Sequence, residues 1–134
     1  MNNKRLHRER DVFIGRKILL TEDKKINQLI VLGLLAESGF EIDIANNGEE
    51  AVNKCKEYNY SLILMDIEMP IMDGYDATRI IRKINKEIPI IALTSNGTIE
   101  DINRTKSVGM NEHLLKPIDL DLLYHTFSKY INVA

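Results

Sequence analysis

Five short apolar runs, each followed by a polar residue, alternate along the chain with segments of helical periodicity, and that alternation leaves few folds open. The third run is the plainest. Leu62, Ile63, Leu64 and Met65 lead without a break into Asp66, and Pro70 and Gly74 then close the segment. An unbroken apolar run bounded by turn residues reads as a strand buried on both faces. Asp66 therefore stands where such a strand ends and the chain turns out of the sheet. In an open α/β sheet, ligands bind in the crevice beyond the carboxyl ends of the strands. Taken by itself, a carboxylate at that point is either a cap-like structural group or a reactive one.

The other runs repeat the pattern. Residues 17–21 form a short strand that ends in Glu22-Asp23, and residues 40–45 alternate as a second strand turned by Asn46-Asn47-Gly48. Residues 89–94 make a buried strand ending in the Thr94 hydroxyl, and residues 113–115 a last one before Lys116-Pro117. Helices are predicted between them over 26–35, 49–58, 75–86 and 98–108. A final helix is predicted behind an Asp119 cap, with Leu120, Leu123, Phe127 and Ile131 on one face. The first helix carries a stripe of Ile26, Leu29, Ile30, Gly33 and Leu34, with Gly39 in a C-cap-like place. Seven of its ten residues are apolar, more than one buried stripe requires, so part of that surface is expected to face outward. Strand then helix, five times over, implies an α/β doubly wound parallel sheet covered on both faces by right-handed crossovers. Glu22, Asp23, Asp66, Thr94 and Lys116 should then gather along one edge.

A chain of 134 residues fits one domain with a real core. The net charge of −2 is uneven: residues 1–16 carry +3 and the remainder −5. Residues 1–15 are read as a basic tail or linker and residues 16–134 as the domain. An acidic body argues against nucleic-acid binding by this domain, since phosphate contacts dominate such affinity. No apolar run approaches the roughly 20 residues of a membrane span, so no membrane contact by this domain is expected. No signal peptide opens the chain, and the single Cys55 forms no internal disulfide. Both point to the cytoplasm, with Cys55 a packed or idle thiol.

Three carboxylates within about 4 Å of one another repel by roughly 4 kcal/mol per pair at an effective dielectric of 20. Glu22, Asp23 and Asp66 must therefore keep a proton or hold a cation. Oxygen-only ligands with room for water suit Mg²⁺. Lys116 and Thr94 add an ammonium and a hydroxyl facing the metal across Asp66, which is a layout for holding a phosphoryl group. Asp66, between them, is the natural nucleophile for an aspartyl phosphate.

The segments that carry these residues resemble a known family. Residues 18–23 (Ile-Leu-Leu-Thr-Glu-Asp), 64–74 (Leu-Met-Asp-Ile-Glu-Met-Pro-Ile-Met-Asp-Gly), 90–94 (Ile-Ile-Ala-Leu-Thr) and 110–118 (Met-Asn-Glu-His-Leu-Leu-Lys-Pro-Ile) look like the receiver domain of two-component response regulators. The wording of Asn27-Gln28, Ala92-Leu93-Thr94 and Gly109-Met110-Asn111, with the lead-in Phe13 to Lys17, is most similar to receivers of hybrid sensor histidine kinases. The resemblance implies a flavodoxin-like fold with strand order 2-1-3-4-5. It implies Asp66 as phospho-acceptor, and Glu22 and Asp23 as the Mg²⁺ acids with the backbone carbonyl of Glu68 as a further ligand. It implies Thr94 as the switch hydroxyl, Lys116 as the phosphate-contacting lysine, and a cis Lys116-Pro117 bond.

The partner would be a histidine kinase or a histidine phosphotransfer domain, and the chain would support only its own phosphorylation and dephosphorylation. Three positions depart from the family. His113 stands where Tyr or Phe is usual in the switch, Ser95-Asn96-Gly97 replaces a run of small residues, and Thr21 replaces a frequent Val. None removes a chemical group. The alternative of a receiver-like interaction module working without phosphorylation would be favoured by loss of an acid or the lysine, and all are present. A flavodoxin needs a phosphate-binding loop where Glu22-Asp23-Lys24 stands, and a haloacid-dehalogenase-type phosphatase needs Asp where Glu68 stands.

Overall fold

The computed structural model describes residues 13–131. Five strands, β1 (Lys17–Thr21), β2 (Glu41–Ala45), β3 (Leu62–Asp66), β4 (Ile90–Thr94) and β5 (Glu112–Leu115), form one sheet in the order β2-β1-β3-β4-β5. Every pairing is parallel, as the expected doubly wound, flavodoxin-like fold requires. Between and after the strands lie α1 (Lys25–Leu34), α2 (Gly48–Glu57), α3 (Gly74–Ile84), α4 (Ile99–Ser107) and α5 (Leu120–Tyr130).

The register shows why the central strands read as unbroken apolar runs. Successive side chains of a strand point to opposite faces, and here both faces are covered. Leu62 and Leu64 of β3 pack with Val31 of α1, Leu35 just after it and Phe127 of α5, while Ile63 and Met65 pack with Val52 of α2 and Ile81 of α3. β3 and β4 are buried at every position, whereas the edge strand β2 is only partly so.

Four helices begin on side-chain caps. Asn47, Asp73, Thr98 and Asp119 accept from backbone amides at the starts of α2, α3, α4 and α5, each satisfying an amide the helix leaves free. The Asp119 cap and the buried face of Leu123, Phe127 and Ile131 are as expected.

At three points the structure refines or departs from these expectations. On α1 the buried side chains are Gln28 and Val31, followed by Leu35 at its end, while Ile26, Leu29 and Ile30 are 64%, 52% and 52% exposed. Three members of the stripe therefore form the outward apolar surface expected of this helix, while Leu34 packs against the core. The same helix ends at Leu34, and Gly39, at φ +85°, bends the chain toward β2 instead of capping α1. Residues 1–12 of the expected tail lie outside the described residues, but Phe13 belongs to the core. It is fully buried, stacked on Phe40 with ring centroids 4.5 Å apart and edge-on to Phe127 at 6.0 Å. Phe13, placed in the expected tail, is thus part of the described core.

In the loop from β3 to α3, Ile71 has φ +71° and is 76% exposed. A β-branched residue in the left-handed region costs roughly 1–2 kcal/mol, and exposure gives no packing to offset it. Ile71→Asn is expected to raise stability by about 1 kcal/mol, read as a shift in the urea midpoint. A loss of stability would show that the isoleucine side chain is held by contacts that offset its backbone.

Candidate functional site

The carboxyl ends of β1, β3, β4 and β5 bring five residues of the sequence reading together. Glu22 follows β1 and is fixed at its main chain, its amide donating to the Ala45 carbonyl at 3.0 Å. Asp66 closes β3, Thr94 closes β4, and Lys116 follows β5 with its amide donating to the Thr94 carbonyl at 2.8 Å. The Lys116-Pro117 bond is cis, as expected. The Lys116 ammonium reaches back over the sheet edge, 3.1 Å from Asp66 Oδ1 and 3.2 Å from Glu22 Oε1. Glu22 and Asp66 side chains are only 2% and 8% exposed, so these are charge pairs held largely out of water.

The electrostatics follow from that burial. Burial pushes the Asp66 carboxyl up, and the hydrogen bond and charge of Glu22 push it further, to about 7, against the downward pull of Lys116. For Glu22 burial also opposes the charge, but the hydrogen bond with Asp66 and the Lys116 ammonium outweigh it and hold this carboxyl below the usual range. Lys116 is held above the ordinary lysine value, since its two carboxylates outweigh the cost of burying it. One proton shared by Glu22 and Asp66, with a cation between them, is the arrangement two adjacent buried carboxyls require.

Asp23 completes the group. Glu22, Asp23 and Asp66 each offer a carboxylate oxygen, and the three lie within 4.8 Å of one another. Asp23 Oδ1 is buried and has no hydrogen-bond partner among the described residues. A buried carboxylate oxygen without a donor is costly, and a hard cation is what this all-oxygen set would satisfy. The residues therefore fit Mg²⁺. A cleft of about 220 Å³ opens beside them, lined by Lys24, Asn27, Asp66, Glu68, Thr94 and Lys116 among others. The Glu68 expected as a carbonyl ligand lies on that wall.

Thr94 and His113 stand apart from the acid cluster. Thr94 Oγ1 accepts from the Asn96 amide at 3.0 Å and faces the Asn96 carbonyl at 3.2 Å, so the hydroxyl is engaged by its own loop. His113, half-buried, sits beside Ala92 of β4 on the sheet face opposite Leu114. The Thr21 hydroxyl is fully buried without a partner among the described residues. Cys55 is half-buried and its thiol is pushed up to about 11 by burial, which leaves it unreactive.

Two supports escaped the sequence reading. The Gln28 amide group donates to the Glu22 carbonyl at 2.7 Å and to Asn46 Oδ1 at 2.9 Å, tying α1 to the loops after β1 and β2. Asn27 hydrogen-bonds the Glu22 carboxylate. Polar residues one turn into an otherwise apolar helix were the available signal.

Residues 18–128 match the model of the response regulator receiver domain. The chain is 42% identical over 130 residues to hybrid signal transduction histidine kinase B of Dictyostelium discoideum, covering 87% of this chain. It is 36% identical over 117 residues to the sensor protein EvgS of Escherichia coli, again covering 87% of this chain. It spans only 7% and 10% of those proteins' lengths. Among solved structures, the receiver domain of a sensor histidine kinase from Pseudomonas aeruginosa superposes with a TM-score of 0.82 at 36% identity, covering 87% of this chain and 98% of that one. That structure has a magnesium ion coordinated in its active-site cleft. The receiver domain of Ssk1 from Saccharomyces cerevisiae, crystallised with the histidine phosphotransfer protein Ypd1, also gives 0.82 at 30% identity, covering 89% of this chain and 90% of that one. With that family match over residues 18–128, the identity to these relatives and the fold shared with these structures, the chain belongs to the response regulator receiver domain family.

Proposed function

We propose that this receiver takes a phosphoryl group from a phosphohistidine onto Asp66. The observation that carries the reading is the Lys116 ammonium 3.1 Å from Asp66 Oδ1, beside a carboxylate cluster that fits Mg²⁺. An Asp66 carboxylate oxygen attacks phosphorus, the P–O bond forms as the P–N bond breaks, and the electron pair returns to the donor imidazole. Bound Mg²⁺ would supply positive charge against the carboxylates and the incoming phosphoryl oxygens. Glu22, Asp23 and Asp66 would hold it, with the Glu68 carbonyl. Lys116, released from its carboxylates as the metal neutralises them, would bind a phosphoryl oxygen. Thr94 would leave the Asn96 main chain to donate to another, and His113 would respond to the space it vacates. The chain would act on no substrate but its own phosphoryl group.

The donor's docking face is on α1. Ile26, Leu29 and Ile30 present outward apolar surface. A hollow of about 310 Å³ lined by Ile30, Val31, Leu93, Pro117, Ile118 and Lys116 lies beside the acceptor. An apolar face next to the reacting carboxylate suits a helical phosphotransfer domain or the phosphohistidine domain of a kinase. The family resemblance to hybrid kinases and to a receiver crystallised with Ypd1 supports that partner class. No described helix is long and apolar enough to cross a membrane, and cytoplasmic work as a domain of a longer kinase is the reading these relatives favour.

The test uses two donors. Ile30→Lys should slow transfer from a phosphorylated histidine phosphotransfer protein at least about tenfold, equivalent to about 1.4 kcal/mol, while small-donor phosphorylation keeps its rate. Equal slowing with both donors would place Ile30 in the packing of the domain and remove it from docking.

A further inference from the structure

The chain contains two Asn-Gly pairs, Asn47-Gly48 and Asn96-Gly97, and the fold treats them oppositely. In such a pair the glycine amide nitrogen, unhindered by a side chain, can attack the Asn side-chain carbonyl carbon. Gly48 is buried and its amide donates to the Met72 carbonyl at 3.0 Å. The main chain of Met72 and Asp73 crowds Gly48 on its Cα side, so the residue has little freedom to release that bond and turn its nitrogen toward Asn47. Asn47 is held as well, its Oδ1 accepting from the Glu50 amide at 2.9 Å. At the second pair both Asn96 and Gly97 are exposed. Neither the Gly97 amide nor the Asn96 side chain has a hydrogen-bond partner among the described residues.

We infer that Asn96 is a modification site, where attack by the Gly97 nitrogen converts the asparagine to isoaspartate and aspartate. The step balances without an oxidant or reductant. A bond forms between the Gly97 nitrogen and Asn96 Cγ, and the side-chain nitrogen departs as ammonia with the proton that the Gly97 amide gives up. Water then opens the five-membered imide at one of its two carbonyls. Opening at the former main-chain carbonyl leaves that carbon as a free carboxylate and routes the chain through Asn96 Cβ.

The position gives the change its consequence. The oxygen that becomes carboxylate is the Asn96 carbonyl oxygen now facing Thr94 Oγ1 at 3.2 Å. A hydroxyl donating to a carboxylate makes a shorter and stronger bond than one to a neutral carbonyl. Isoaspartate at position 96 therefore holds Thr94 on its own loop, adds a negative charge to it, and lengthens by one carbon the connection that leads to α4. This consequence rests on the reading of Thr94 as the hydroxyl that meets the phosphoryl group; the modification itself does not.

The experiment ages the whole chain at mildly alkaline pH and physiological temperature. It then maps peptides by mass, with isoaspartyl methyltransferase labelling to distinguish the isomer. Position 96 should convert at least about tenfold faster than position 47, the factor expected when a buried amide must first give up its bond. Conversion at position 47 as fast as at 96, or none at 96 while an unfolded peptide of the same sequence reacts, would overturn the proposal. Gly97→Ala should suppress the reaction; its Cβ would lie 3.1 Å from the end of the exposed Leu115 side chain, which can yield. Aged and fresh chains are then phosphorylated with a small donor. A conformational response at least about threefold weaker in the isoaspartate form is expected, given the extra strength of a charge-assisted bond. An equal response would show that the modified loop does not hold Thr94. A fresh chain that accepts no phosphoryl group would sink the acceptor reading and leave the site of modification standing.

Discussion

In the metal-free chain, Lys116→Met is expected to cost about 3 kcal/mol of stability near pH 8 and far less near pH 5. Lys116 is the cation between two carboxyl groups that are almost wholly buried, and removing one partner of a buried pair leaves its charge uncompensated. The sign of the pH effect comes from Asp66. Its carboxyl is pushed up to about 7 by burial and by Glu22. The stabilisation from its bound proton is thus complete below the unfolded carboxyl value and lost as pH rises through about 7. Loss of the ammonium removes the one influence pulling this carboxyl down, which moves the window upward. Near pH 5 a proton on Asp66 leaves one buried negative charge, shared with Glu22, and the demand for the cation is smaller. Near pH 8 it is larger. Denaturant unfolding at the two pH values measures the difference, and an equal loss at both would mean that Lys116 stabilises by packing alone.

Alanine at Gly74 should have an effect as large, for a reason of shape. Gly74 opens α3 directly under the acceptor, its amide donating to the Ile67 carbonyl at 2.8 Å. A Cβ there would run into the main chain of Asp66 and Ile67, and a strand end inside the sheet cannot move aside as a side chain can. The expected cost is about 3 kcal/mol, a fall in Tm on the order of 10 °C. Alanine at Gly33 is the matched opposite. That glycine lies on the exposed side of α1 with nothing within 4 Å of a built Cβ, so the substitution should add about 0.5–1 kcal/mol by helix propensity. Thermal unfolding of both variants settles it: Gly74→Ala as stable as the native chain would contradict the close approach under Asp66.

The features legible in the sequence were those fixed by strand periodicity. A strand buried on both faces must be apolar at every position, so β3 and β4 announced themselves, and the polar residues ending the runs fell on one edge because the strands are parallel. The gathering of Asp66, Thr94, Lys116 and the acid pair at that edge required no further information. α1 was harder. With six apolar residues in ten, its pattern allows more than one buried face, and hydropathy favours the wrong one. What turns the helix is Gln28, whose two hydrogen bonds hold the loops after β1 and β2; hydropathy counts that residue against burial. Phe13 was obscured in the same way, as one aromatic within a basic stretch whose ring finds Phe40 and Phe127 only in three dimensions. The backbone strain at Ile71 leaves no mark in composition at all.

The phosphoryl group is expected to reside on Asp66. Incubation with Mg²⁺ and a small phosphodonor, followed by intact mass and peptide mapping, tests it most directly. A single phosphoryl group should appear on the peptide containing Asp66 and be absent from Asp66→Asn. Addition of the same mass to the Asp66→Asn chain would contradict the assignment.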